Sequence, residues 1–294
     1  MNYIDIQQVQ KKMNTRIVKN NILKYIFFIS TTIGLVVLAA LLIQVFTQGL
    51  SAINMDFITG RLSTEASRAG IMGAILGTFW LMVVVIPVTI VIGIGTALFL
   101  ELYLKGGKIQ SLIQTNISNL AGVPSIVYGI LGLTIFVRAM DFGNIVLAGG
   151  LTLSLLILPI VIVAAQESIR SVPQHLMEAS YGMGATKWQT IRRIILPAAL
   201  PGMLTGAILA ISRAIGETAP LTVIGIPALL IPFPGGIFDK FTALPMQIYY
   251  WTLDSSLVEE YANLAAATII VLLLLLFLLN SAAIFIRNKF QHRY

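Results

Sequence analysis

The sequence predicts an all-α integral membrane protein whose single domain crosses the bilayer six times. Three observations lead there. Apolar residues fill 57% of the 294 positions and charged residues only 11%, less than half the roughly 25% charge of a soluble domain. Charge-poor runs of about 20 residues, enough for a helix to cross ~30 Å of hydrocarbon, recur along the chain. The basic residues between those runs fall mostly on one side. A mean hydropathy of +0.90 is more apolar surface than a water-soluble fold can cover. That sets aside a soluble enzyme, a disordered tail and a nucleic-acid module. The net charge of +7 then reads as basic membrane-flanking loops, not as a nucleic-acid surface.

Residues 1–24 form a basic N-terminal tail and 25–46 the first span. Its apolar run exceeds that of a cleaved signal peptide, and no clear cleavage site follows. The second span covers about 72–100, the third 117–137, the fourth 143–165, the fifth 201–224 and the sixth 264–286. With both termini inside, 14 Lys and Arg lie in inner segments and 4 in outer ones, which fixes the N-in, C-in orientation. Pro87, Pro124 and Pro159 each remove a backbone hydrogen bond and are expected to kink their spans. Glycines crowd spans two and three and read first as close helix packing, second as a bend or sliding point. With no cysteine and only His175 and His292, disulfides, thiolate chemistry and a histidine metal site are not expected.

The inner loop 167–200 carries the most information. Pro173 opens a helix, Gly182 and Gly184 break it, and Thr186 caps a second one through Trp188, Ile191, Ile194 and Ile195. Pro197 and Pro201 are expected to separate that helix from span five. Each short helix has one apolar face that needs a cover, either the bundle itself or a partner.

This loop resembles the E-A-A loop of bacterial ABC importer permeases. The pattern falls on Glu178, Ala179, Ser180, Gly184, Ile194, Leu196 and Pro197, with Ser180 in place of the second alanine. The resemblance implies a type I, MetI-like six-helix bundle whose loop docks in a cleft of a separate ATPase. No G-x-x-x-x-G-K-[ST] phosphate loop occurs, because the only Gly-Lys pair, Gly107-Lys108, is followed by Ile109. This chain is therefore expected to be no enzyme and to hold no cofactor. ATP and magnesium belong to the partner.

Span five carries Arg213 and Glu217, four residues apart and on one helix face. Charges inside a span face a cavity or the bundle interior by default. The two neutralise each other as a structural pair, and the guanidinium fork also suits phosphate or sulfate oxygens. Both readings stand together.

The segment Arg213-x-x-Gly216-Glu217-Thr218-Ala219-Pro220 resembles permeases of the high-affinity phosphate importer. So does Gly122-Val123-Pro124-Ser125-Ile126-Val127-Tyr128-Gly129, and residues 242–249 are similar to the PstA-type subunit. The resemblance implies phosphate as substrate, a second permease of PstC type, an ATPase dimer of PstB type and an external PstS-type binding protein. Arg213, Glu217, Thr218 and Arg138 are the candidate substrate-pathway residues. Arg138, at the outer end of span three, anchors its helix or steers anions. Asp254, Glu259 and Glu260 form a solvated face or a contact for the binding protein. Tyr249, Tyr250 and Trp251 make an interfacial belt, and Asn280 bonds a neighbouring helix. Sulfate or molybdate as substrate, or an ion-coupled carrier without ATPase, are the alternatives. The composition leaves homodimer and heterodimer both open.

Overall fold

The structure, a computed structural model, describes residues 6–104, 106–227 and 233–290. Lys105, His292 and Arg293 lie outside them, as do the side chains of Lys11 and Lys12. In chain order the helices are α1 (Ile6–Gly49), α2 (Met55–Thr59), α3 (Met72–Leu98), α4 (Lys108–Ala121), α5 (Ser125–Gly132) and α6 (Val146–Arg170). Then come α7 (Gln174–Gly182), α8 (Lys187–Thr190), α9 (Leu196–Gly216), α10 (Ala219–Ile224), α11 (Leu244–Asp254) and α12 (Glu260–Phe290). Among the described residues five helices are long and apolar enough to cross a membrane, and a sixth crossing requires the bent pair of α4 and α5. The end of the bundle formed by the 167–200 loop carries α7 and α8. The opposite end carries α2 and α11.

The expected N-terminal tail is the first part of α1, not a separate element. No glycine or proline interrupts residues 6–24, so the helix of span one propagates back through them. From Arg16 onward α1 is exposed almost throughout. It meets α12 at its far end, where a Cβ on Gly49 would sit 2.7 Å from the backbone of Ala266 and Ala267.

The centre of the molecule is the α3–α6 contact. Leu81, Val85, Leu153 and Ile157 are at most 2% exposed there. The two helices approach through glycine: a Cβ on Gly93 would meet Val161 at 2.7 Å, and one on Gly150 would meet Val84 at 2.7 Å. This is the close-packing role of small residues in bundles. Beyond it, the segment leading to α11 closes the opposite end. Phe241 is fully buried, and the Val146 and Leu147 N–H groups donate to the carbonyls of Asp239 (3.0 Å) and Ile237 (2.8 Å). Two orphan donors of the α6 N-terminus are thereby satisfied.

The third expected span is not a single straight rod. α4 and α5 meet at 103°. The prolines differ for a physical reason. Pro87 and Pro159 lie inside unbroken helices. Pro124 follows Gly122-Val123, so the chain leaves the helix before the ring, as the restriction on pre-proline residues favours. The Tyr128 hydroxyl then donates across the corner to the Leu120 carbonyl at 2.8 Å.

Pro197 and Pro201 do not separate the loop from span five. A π turn at Ile191–Ile195 joins α8 to α9, and the helix runs from Lys187 to Gly216. The wider turn seats the Pro197 ring, which in a regular helix clashes with the carbonyl four residues back. A second π turn, Phe99–Tyr103, extends α3 past Leu100 and takes in Glu101. A third, Leu133–Ala139, extends α5.

Candidate functional site

The fifth apolar stretch breaks where its charges lie. α9 ends at Gly216, Glu217 is extended (φ −76°, ψ 122°), and α10 starts after Thr218. Arg213 Nε donates to Glu217 Oε1 at 3.1 Å, so the two charges pair although Glu217 has left the helix. The Glu217 side chain is 17% exposed and that of Arg213 is 45% exposed. The Thr218 carbonyl accepts from the Thr222 hydroxyl at 3.0 Å, which opens the short α10.

This break lies beside the corner between α4 and α5. α10 packs on α5 so closely that a Cβ on Gly129 would meet Pro220 at 2.9 Å. Two interrupted helices therefore meet side by side, and irregular backbone at membrane depth is tolerated only where protein or a polar cavity surrounds it. The depth follows from α12. Arg287, the first cation after its apolar stretch, donates to Thr205 Oγ1 at 3.4 Å. Arg213 stands eight residues further along α9, about 12 Å at 1.5 Å per residue, near the middle of a ~30 Å apolar layer. A charge there facing lipid costs about 2.5–3.5 kcal/mol even on insertion scales.

The exposed flank of α9 carries Gly202, Leu209, Arg213 and Gly216. The opposite flank lines an apolar groove of about 350 Å³ between α3, α9 and α12, through Leu204, Ile208, Ile211 and Ile215. That groove is lined by apolar residues and Asn280 and offers an anion no charge, so the charged flank and not the groove is the candidate site. Beside it, Ser212 Oγ donates to Asn280 Oδ1 at 2.7 Å, the helix–helix bond expected of Asn280. Arg138 is exposed in the last turn of the α5 extension. No hydrogen bond or ion pair joins it to Arg213, Glu217 or Thr218 among the described residues.

The loop folds as two short helices with a glycine corner. Gly184 takes φ +80° with open space around it. Thr186 and Gln189 form a reciprocal cap, and Ser180 Oγ lies 2.9 Å from Thr190 Oγ1, tying α7 to α8. The inner faces are covered by the bundle: Leu176, Met177, Ile191 and Ile195 pack with Ala97 and Ala165. Ile194, Leu196 and Pro197 are half-buried, while Glu178 and Ala179 are exposed. What remains uncovered is an apolar knob of Met183, 89% exposed, and Trp188, 61% exposed, with Tyr181 beside Met183 in sequence at 46%.

One charged cluster escaped the sequence reading. Glu101 sits at the root of the loop, bonded to Arg170 and Gln166. The available signal was an acid directly after the apolar run of span two, at the end where cations prevail.

The Binding-protein-dependent transport system inner membrane component family matches residues 89–291. The phosphate transport system permease protein PstA of Mycobacterium leprae is 36% identical over 239 residues, 80% of this chain and 78% of that one. A probable ABC transporter permease protein of Bacillus subtilis, YqgI, is 35% identical over 189 residues; the match spans 63% of this chain and 64% of YqgI, a little under two thirds of that relative. Among solved structures, a bacterial ABC transporter involved in import of the acidic polysaccharide alginate aligns with TM-score 0.65 at 15% identity, over 95% of this chain and 100% of that one. The inward-facing MetNI methionine ABC transporter aligns with TM-score 0.59 at 20% identity, over 76% and 96%. These two share the fold, and the expected MetI-like bundle is the one observed. The chain belongs to the family of inner membrane components of binding-protein-dependent transport systems.

Proposed function

We propose that this chain is one permease half of an ATP-driven importer of inorganic phosphate. One observation carries the reading: a half-exposed arginine, held by a glutamate at a helix break within an apolar span, lies on a face that one chain leaves open. Such a charge is stable only against protein or water, so a second permease covers that face and the pathway runs between the two. The guanidinium fork takes phosphate oxygens. Glu217 aims the fork and keeps its charge partly compensated, so the anion is bound weakly enough to leave. The similarity to a PstA protein and the Gly-Glu-Thr-Ala-Pro segment favour phosphate over other oxyanions.

The second half is a PstC-type permease, the ATPase a PstB-type dimer that binds ATP and magnesium, and the supplier a PstS-type binding protein. The loop end of the bundle faces the cytoplasm, with both termini there. Met183 and Trp188 form the core of the ATPase contact, as buried aromatic anchors do in other interfaces. Glu178, Ala179, Gly184, Ile194, Leu196 and Pro197 shape the helices that present it. Closing of the ATPase dimer pushes these helices and opens the pathway outward. Phosphate then enters from the binding protein, and hydrolysis resets the bundle.

Arg213→Ala tests the pathway. Phosphate uptake into vesicles carrying the whole complex should be lost while the complex still assembles. Normal uptake in this variant would leave the Arg213–Glu217 pair a structural role only.

A further inference from the structure

The Glu101 cluster joins elements that are far apart in sequence and that the pathway does not use. The Glu101 carboxylate belongs to the π turn ending α3 and its side chain is 11% exposed. Arg170, the last residue of α6, grips it with a fork: Nε donates to Oε2 at 3.0 Å and Nη2 to Oε1 at 2.7 Å. Gln166 Nε2 donates to Glu101 Oε1 at 2.9 Å and to Gln114 Oε1 of α4 at 2.8 Å. Gln110, also of α4, donates to the Leu100 carbonyl at 3.1 Å. Arg170 Nη1 donates to Glu167 at 3.0 Å. The Glu101 carboxylate thus ties α3 to α6, and Gln166 with Gln110 extends the tie to α4 at the same loop ends.

The position matters more than the count of bonds. Four residues after Arg170, α7 begins. At the other end of the corner, the Lys187 ammonium lies 4.4 Å from the centre of the Tyr103 ring, two residues from Glu101. Both limbs of the loop therefore hold the same π turn, and π turns inside helices recur at functional positions. The bidentate fork fixes direction as well as distance, which a single contact does not.

We propose that Glu101, Arg170 and Gln166 form a positioning joint that transmits movement of the loop helices to α3 and α4. Breaking it separates ATP hydrolysis from transport. The proposal rests on the reading of this chain as an ATP-driven permease. None of the three residues touches the transported anion. They act by making the loop and the ends of α3 and α4 move as one body, so that loop displacement reaches the α4–α5 corner beside Arg213.

The test uses the whole complex in vesicles with the binding protein and phosphate, with hydrolysis and uptake measured on the same preparation. Glu101→Gln keeps the shape and removes the charge that Arg170 grips. Uptake should fall about tenfold or more, a typical coupling between sites, while hydrolysis stays within about twofold of the native rate. Arg170→Lys keeps the charge and loses the fork, and should show the same split. It carries the test if Glu101→Gln does not assemble. The exchange Glu101→Arg with Arg170→Glu, which the Gln166 and Gln114 amides can follow by flipping together, should recover uptake per ATP. An equal loss of hydrolysis and uptake in assembled Arg170→Lys complex, or no loss of either, overturns the joint. Failure of the native complex to hydrolyse ATP in response to phosphate is a separate result and would overturn the parent reading instead.

Discussion

The α3–α6 contact and the α5–α10 contact are both made by glycine-assisted packing, yet they behave oppositely. α3 and α6 each carry a proline, Pro87 and Pro159, and remain unbroken. α5 and α10 each begin at a break, after Gly122–Pro124 and after Glu217–Thr218. The first pair is buried and apolar on its shared face. The second borders an exposed charged residue. A proline alone therefore does not break a membrane helix here. The breaks lie beside the Arg213–Glu217 pair, and the unbroken pair is the buried frame of the bundle.

Substitutions at each region sharpen that contrast. The largest effect is expected from Arg213→Ala at the broken pair, with uptake lost and assembly intact. Gly150→Val at the unbroken pair should do the reverse, weakening the fold before the chemistry. Its new atoms start 2.7 Å from Val84, and overpacking of this kind costs about 1–3 kcal/mol. Lower yield of assembled complex with normal uptake per assembled complex would bear this out. A well-assembled but inactive variant would mean that the α3–α6 contact itself moves during transport.

The loop knob lies outside both regions. Trp188→Ala should weaken retention of the ATPase subunit by about tenfold or more, in line with a truncated aromatic anchor of about 2 kcal/mol. Co-purification at increasing detergent measures it, and undiminished retention would move the contact elsewhere. Smaller still is Ser212→Ala, which removes the donor to Asn280 between α9 and α12. A loss of about 1 kcal/mol is expected, visible as a modest drop in thermal stability with uptake nearly unchanged.

Much of this was legible in the sequence, because membrane spans are written in composition and the loop pattern in local spacing. The glycine corner at Gly184 and the cap at Thr186 depend on neighbours within four residues, and both formed as the residues imply. The features that sequence reasoning missed depend on distant partners or on turn type. The 103° corner needs Tyr128 to reach back to Leu120. Continuity through Pro197 needs a π turn that no propensity marks. The Glu101 cluster joins residues 65 and 69 positions apart. Arg213 and Glu217 were recognisable as a pair, but not that the helix ends between them.

The most direct measurement is ATP hydrolysis by the purified complex in lipid with its binding protein, titrated with phosphate and then with sulfate. The account predicts stimulation by phosphate and none by sulfate. Stimulation by sulfate alone would contradict the assigned substrate, and a complex without any associated ATPase would contradict the transport mechanism itself.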